Sequence, residues 1–227
     1  MTSKRWTRRP DGSNWGDFGE DDQLGRLNLI DSQKVLEGVA EVREGITFCL
    51  SLPLDFPGSN TLSPVRFPPK LSPVIRNGEP YYNYEWRKKD PKLTDIASDD
   101  AVFLHTQYST QWDSLAHRGS LFDVHGDNKA QPVYYNGFSA GEDVKMTEEM
   151  EVKANSLGIE HMAVHGVQGR GVLVDLYSHY GEFPRKEVGY EDLMHVLENE
   201  NILALPDDRP MVVTSIRSIA ADAAPCN

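Results

Sequence analysis

The sequence predicts a domain of the α/β or α+β class with a mixed β-sheet. Candidate strands and helices alternate along the 227 residues. Several candidate strands are joined by loops instead of by the crossover helices that a purely parallel sheet requires. A chain of this length can bury a substantial core. The length exceeds the common domain size but does not clearly indicate two domains, so we expect a single domain over residues 1–227.

Both ends of the chain are predicted to be irregular. Residues 1–20 form an N-terminal arm with two aromatic anchors, Trp6 and Trp15. Residues 217–227 are rich in small side chains and have neither a helical nor a strand pattern. We therefore place the regular elements between these two segments.

The first helix and the first strand are expected between the arm and residue 54. The stretch LIDSQKVLEGVAEVREG spaces its apolar residues along one helical face, with Asp31 or Ser32 as the N-cap and Gly45 as the stop. The next stretch, ITFCLSLPL, is typical of a buried strand.

Residues 53–100 differ from the rest of the chain because prolines punctuate them. Such a proline density disfavours regular helices and central strands, and a long irregular segment in a compact domain is often functional. The aromatic stretch PYYNYEW lies inside it. We interpret the segment as an excursion that covers a pocket or a neighbouring subunit; a surface loop without a role is the equal alternative.

Three further strands and one helix complete the predicted fold. AVFLHTQYS is predicted as a strand that leads into a polar motif, and GRGVLVDLYS is the clearest strand of the second half. YEDLMHVLEN is expected to be a helix, and a last strand is expected over residues 210–216.

Charge and composition exclude several classes of function. The chain has 35 acidic and 23 basic residues and a formal charge of −12, which disfavours nucleic acid and anionic lipid as partners. No stretch approaches the roughly 18 apolar residues of a membrane span, and the N-terminus does not have the pattern of a secretory signal. With only Cys49 and Cys226 as cysteines, a reducing compartment and a cytoplasmic location are expected.

The stretch STQWDSLAH, residues 109–117, is the strongest candidate site. It places Asp113 and His117 four residues apart after a predicted strand, where sites of α/β sheets usually lie. Asp113 offers a hard oxygen for a divalent cation, and His117 can bind metal or move a proton near neutral pH. The plainer alternatives are a turn-capping Asp and a structural His.

Other histidines give weaker signals. His105, Gln107 and Ser109 would share one face of a strand, which would allow His105 to act as a ligand, although a His at the sheet edge is the simpler reading. His161 and His165 would share one face of a helix, and both are interpreted as structural.

Four blocks of the sequence resemble the cyclase family, which includes bacterial kynurenine formamidase and isatin hydrolase. These blocks are WGDFGEDDQLGRLNLI, STQWDSLAH, VYYNG and LGIEHMAVHGVQGRGVLVDL, and they span residues 15–176. The resemblance is to the long-chain branch of the family. It implies a swivelling β/β/α fold, a divalent metal such as Zn or Mn, a small-molecule substrate and a homo-oligomer.

The resemblance also assigns roles to residues of STQWDSLAH. Thr110 takes the place of the motif's Thr, Asp113 that of its metal-binding Asp, and His117 that of its last His, the acid or base. Gln107 and Gln111 stand where metal-binding members have His ligands, so they are the remaining candidate ligands. Because an amide oxygen is a weaker ligand than imidazole, zinc affinity should be lower.

The function implied by the resemblance is hydrolysis of an amide or formamide bond, as in the conversion of N-formylkynurenine to kynurenine in tryptophan catabolism. The family continues beyond the last predicted strand, so we expect a C-terminally shortened member. Two alternatives stay open: a non-catalytic binding protein of the same fold, and a metal-free isomerase or lactonising enzyme that uses His117 and Asp113 as an acid–base pair.

Overall fold

The computed structural model describes residues 4–61, 63–181, 187–199 and 211–214, the last four by backbone only. Its contacts divide the chain into two compact units. Unit 1 comprises Met1–Ile46 and Trp112–Asn227, and unit 2 comprises Thr47–Gln111. The boundary falls inside STQWDSLAH. The sequence-based description of a single domain over residues 1–227 stays a prediction.

The described elements are short. The α-helices are α1 (Ser32–Ala40), α2 (Ile159–His165), α3 (Leu176–Tyr180) and α4 (Tyr190–Asn199). Single 3-10 turns cover Gly25–Leu29, Trp86–Lys88 and Tyr135–Gly137. The strands of unit 2 are β1 (Lys70–Pro73), β2 (Ile75–Arg76), β3 (Glu79–Pro80), β4 (Tyr84–Glu85), β5 (Ile96–Ala97) and β6 (Asp100–Phe103). The strands of unit 1 are β7 (Ser120–Phe122), β8 (Gln131–Val133), β9 (Val144–Met146), β10 (Val152–Ala154), β11 (Gly171–Val174) and β12 (Met211–Thr214).

The strands pair two by two. Five pairs are antiparallel: β1 with β6, β2 with β3, β4 with β5, β7 with β8, and β9 with β10. The sixth pair, β11 with β12, is parallel, with Gly171 opposite Met211. The mixed α/β class is confirmed. The single mixed sheet is not found among the described residues, because each ladder ends after one pairing.

Unit 1 has two small cores. Trp15, Val124 and Val133 form the first, with Trp6, Phe122 and Tyr135 packed against it. Val172 and Val174 of β11 pack against Val196 of α4 in the second. The prediction that Trp6 and Trp15 are anchors is therefore confirmed. Both tryptophans pack together within the described part of the arm: Trp15 is buried, and its ring centroid lies 5.9 Å from that of Trp6.

The elements of the second half largely follow the sequence pattern. α4 spans the predicted YEDLMHVLEN, β11 lies in the predicted GRGVLVDLYS, and β12 lies within the predicted 210–216. The tail at 217–227 lies outside the described residues. α1 begins after Asp31, whose side chain accepts the Lys34 N–H at 2.9 Å, but it ends at Ala40, before the predicted stop.

Two strand predictions are wrong. ITFCLSLPL forms no strand: residues 46–53 have no regular secondary structure, residue 54 begins a turn, and all nine residues are exposed. An apolar alternation alone therefore did not produce pairing. In AVFLHTQYS only the start is a strand, β6, and residues 106–110 form turns and bends. The expected strand face shared by His105, Gln107 and Ser109 is therefore absent.

Residues 53–100 are not a structureless excursion. They contain five short strands, β1 to β5, and most of unit 2. Pro73 and Pro80 end two-stranded ladders, where a proline removes only a terminal hydrogen bond. The aromatic stretch forms a local cluster in which the ring centroids of Tyr81 and Tyr84 lie 4.9 Å apart. Whether this unit covers a pocket or a neighbouring subunit stays a prediction.

Candidate active site

Asp113 and His117 lie close together in unit 1. His117 Nε2 is 3.9 Å from Asp113 Oδ2, and the two side chains are 22% and 43% exposed. This distance allows charge attraction but is too long for a hydrogen bond. Since both side chains reach solvent, a small molecule has access to the pair.

The turn that carries the pair is fixed by local hydrogen bonds. The His117 N–H donates to the Ser114 carbonyl at 3.0 Å, and the Ala116 N–H lies 3.3 Å from Ser114 Oγ. Ser114 therefore caps this turn in the way that serine side chains commonly do.

Two blocks of the sequence hold this turn from outside. The Ala116 N–H donates to the Leu157 carbonyl at 3.2 Å, and the Leu157 N–H donates to Gln23 Oε1 at 2.7 Å. Gly25 packs closely against Leu115: a Cβ atom placed on Gly25 would lie 3.5 Å from Leu115 Cδ1. Blocks that are distant in sequence thus meet at the candidate site.

Asn136 of VYYNG organises the N-terminal block. Its side chain is fully buried; Oδ1 accepts the Gly16 N–H at 2.7 Å, and Nδ2 donates to the carbonyls of Gly19 and Asp22 at 3.0 Å each. Its backbone has a φ of 55°, a conformation that Asn tolerates better than most residues. Sequence reasoning missed this role, although an Asn before a Gly is a turn signal.

Tyr135 adds a second connection between the same blocks. Its hydroxyl donates to Asp22 Oδ2 at 2.9 Å, and the same oxygen accepts the Gly25 N–H at 2.8 Å. Partial burial, followed by the hydrogen bond to Asp22, raises the pKa of the Tyr135 phenol above its ordinary value. Tyr135 therefore stays protonated over the whole neutral range and acts as a donor.

Gln107 and Gln111, the other predicted metal ligands, belong to unit 2. Gln107 Oε1 accepts the Thr106 hydroxyl at 2.9 Å, and its backbone carbonyl accepts from Arg66 at 3.0 Å. Thr110 Oγ1 accepts the Leu52 N–H at 3.0 Å. These contacts order the first half of the motif within unit 2, whereas Asp113 and His117 are held by unit 1.

The remaining histidines of the sequence hypotheses make structural contacts. His105 Nδ1 lies 3.2 Å from the Phe67 carbonyl oxygen, and its ring is against Phe67 and Phe103. His165 Nδ1 lies 2.7 Å from the Gly166 carbonyl oxygen. His105 lies beyond the end of β6 and is partly buried, so it is not a His at a sheet edge. The contact of His165 agrees with its structural interpretation.

The donor chemistry fits a hard divalent ion better than zinc. Asp113 offers a carboxylate and His117 an imidazole, and the two glutamines offer only amide oxygens, which suit ions such as Mn²⁺. Within the described ranges no three His, Cys, Asp or Glu side chains cluster as metal ligands would.

An apolar groove of about 310 Å³ lies beside this pair in unit 1. It begins at Trp112, the residue before Asp113, and is completed by α2 and the loop after it. The lining residues are Trp112, Ile159, Met162, Ala163, Gly166 and Val167. Its size suits a small apolar or aromatic group.

Comparisons with known proteins gave one informative result. No protein-family model matches the chain, and no curated protein matches it. A crystal structure described as a novel cyclase matches with 28% sequence identity and a TM-score of 0.63, over 89% of this chain and 61% of that one. The chain is similar to a cyclase. This similarity supports the resemblance inferred from the four blocks, and it spans less than two thirds of the cyclase's length.

In the described part of the chain, no helix is long and apolar enough to cross a membrane. The swivelling β/β/α arrangement expected from the resemblance stays a prediction.

Proposed function

We propose that this chain is an enzyme of the cyclase type that hydrolyses an amide or formamide bond, with His117 as its acid–base residue. The observation that carries the proposal is the Asp113–His117 pair, 3.9 Å apart, in a chain similar to a solved cyclase. An aryl formamide such as N-formylkynurenine is the substrate class that the resemblance implies, and the apolar groove beside Trp112 has room for its ring.

In the proposed reaction His117 takes a proton from the water that attacks the formamide carbonyl. The tetrahedral adduct then collapses, the carbon–nitrogen bond breaks, and His117 returns the proton to the leaving amine nitrogen. Formate and the arylamine are the products. The Asp113 carboxylate stabilises the imidazolium that forms between the two proton transfers, because opposite charges about 4 Å apart attract even near a protein surface.

We further propose that Asp113 is a ligand of a divalent ion, Mn²⁺ in preference to Zn²⁺, as the resemblance implies. When bound, such an ion supplies Lewis acidity toward the carbonyl and the attacking water.

The proposal is tested by formate release from N-formylkynurenine. Wild-type protein is assayed with added Mn²⁺, with added Zn²⁺ and with EDTA, beside Asp113→Asn and the control Asp21→Asn, whose side chain is 92% exposed. We expect turnover that rises with Mn²⁺, a loss of about 100-fold or more in Asp113→Asn, and an unchanged control. Asp113→Asn turning over as fast as wild type would contradict the assignment.

A metal-free acid–base enzyme is the second candidate, and the same observation favours it. Asp113 and His117 lie in one unit and need no ligand from the other to act on a substrate proton. Turnover that persists in EDTA, but that is lost in Asp113→Asn, would favour this candidate. No turnover in any condition would favour a binding protein of the same fold.

We also propose that the chain associates with further copies of itself. Residues 46–54 expose large apolar side chains, with Phe48 78% exposed, and exposed apolar surface promotes association. In sedimentation velocity, Phe48→Asp should reduce the concentration-dependent association of the wild type. Val164→Asp, at a still more exposed position in α2 (90%), serves as the control, and a concentration-independent monomer in the wild type would contradict the proposal.

A further inference from the structure

Gln23 reaches the candidate site through a single buried residue. Its carboxamide oxygen accepts the Leu157 N–H at 2.7 Å, and the carbonyl of the same Leu157 accepts the Ala116 N–H at 3.2 Å. Ala116 directly precedes His117. A hydrogen-bonded path therefore runs from the Gln23 side chain to the backbone that carries the imidazole.

Leu157 depends on a partner from outside its own segment. It is fully buried and has a φ of 65°, a conformation that costs free energy for a branched residue with a Cβ. A buried N–H without an acceptor would add a cost of about 1–3 kcal/mol. Gln23 supplies that acceptor, so the position of the Leu157 peptide depends on it.

Gln23 is itself held from the other side. The carbonyl of its neighbour Asp22 accepts from buried Asn136 at 3.0 Å, and the Asp22 carboxylate accepts from Tyr135 and from the Gly25 N–H. The loop that carries Gln23 is thus anchored by contacts with Asn136, Tyr135 and Gly25. Its own side chain is the connection to Leu157.

We infer that Gln23 is a positioning residue that sets the place of the His117 imidazole through Leu157 and Ala116. This inference rests on the role proposed for His117. Gln23 does not touch the reacting atoms, so its effect should appear in the rate and in the environment of His117. A misplacement of about 1 Å can cost about 100-fold in rate, so we expect a loss of about 10-fold when this one connection is removed.

The test compares four variants by two measurements. Gln23→Met keeps the length of the side chain and removes the acceptor, whereas Gln23→Glu keeps an acceptor oxygen. Gln23→Asn keeps the amide but is one methylene shorter. Gln33→Met is the matched control, because Gln33 lies exposed on α1 and its side chain donates to Glu37 in the same helix. The measurements are formate release from N-formylkynurenine and the chemical shift of the His117 ring resonance at a fixed pH, assigned by its loss in His117→Ala.

We expect Gln23→Met to lower kcat about 10-fold with little change in KM, and to change the chemical shift of the His117 ring resonance. Gln23→Glu should restore both, and Gln33→Met should resemble wild type. If Gln23→Met does not fold, Gln23→Asn carries the same comparison. An unmoved His117 resonance in the folded acceptor-deficient variant, whatever its rate, overturns the inference. A moved resonance in a protein without turnover on the formamide would keep the inference and reject the proposed hydrolase.

Discussion

Gly16 donates its backbone N–H to the carboxamide oxygen of Asn136 over 2.7 Å, across 120 residues of sequence. The same side chain donates to two further carbonyls of the N-terminal segment. Two of the four cyclase-like blocks are therefore joined by one buried side chain. The N-terminal block in turn supplies Gln23, which reaches the Asp113–His117 turn.

Asn136→Ala should destabilise the fold by about 3 kcal/mol, because it removes three hydrogen bonds and leaves partly buried backbone groups unpaired. Urea unfolding measures this change. Asn128→Ala is the matched control, because Asn128 also has a positive φ, 63°, but is exposed. The decrease in the free energy of unfolding in this variant measures the cost of placing alanine in that backbone conformation. Equal destabilisation by the two substitutions would show that the Asn136 hydrogen bonds contribute nothing.

Tyr135→Phe should change how stability depends on alkaline pH. Burial and Asp22 raise the pKa of Tyr135 above the value of about 10 that it has in the unfolded chain. Above a pH of about 10, the unfolded state therefore loses the Tyr135 proton while the folded state keeps it. The contribution of the Tyr135 hydroxyl to the free energy of unfolding is complete at neutral pH and declines as the pH rises. The urea midpoint should fall less between pH 9 and about 11 in Tyr135→Phe than in the wild type.

The control for that comparison is Tyr82→Phe, since Tyr82 is half exposed. It should lose stability at alkaline pH as the wild type does. A steep alkaline loss in Tyr135→Phe equal to that of the control would contradict the role given to the Tyr135 hydroxyl.

Gly38→Ala should destabilise the protein although Ala is the better helix former by about 1 kcal/mol. A Cβ at Gly38 of α1 would lie 2.6 Å from the Gly169 carbonyl carbon and 2.8 Å from the Arg170 nitrogen, and backbone cannot move aside as a flexible side chain can. We expect a net cost of about 1–3 kcal/mol in urea unfolding. A gain in stability would mean that α1 does not pack on this loop.

The sequence predicted the elements whose signals are local. The residues of α4 have apolar side chains at helical spacing, and α1 begins directly after its N-cap residue, Asp31. Both helices could therefore be placed from neighbouring residues alone. ITFCLSLPL has an equally strong local pattern, but a strand also needs a partner, and pairing depends on residues far away in sequence. β6 likewise ends before His105 because its pairing with β1 ends at Phe103, opposite Lys70.

The site was predictable in part for the same reason. Asp113 and His117 were singled out by residue type and spacing, and the structure brings them within 3.9 Å. Asn136 and Gln23 carry no chemical signature of their own and act only through contacts across more than a hundred residues. Such supporting residues become visible only when the chain is folded.

The most direct measurement of the central claim is the pH–rate profile of wild type and His117→Ala on N-formylkynurenine. A general base must be unprotonated, so wild-type kcat/KM should fall with decreasing pH through the range in which imidazole groups titrate, about pH 6–7. We predict that His117→Ala loses about 100- to 10,000-fold in rate and that its residual activity no longer has this acid limb. An unchanged acid limb, or a rate equal to wild type, would contradict the claim that His117 moves the proton.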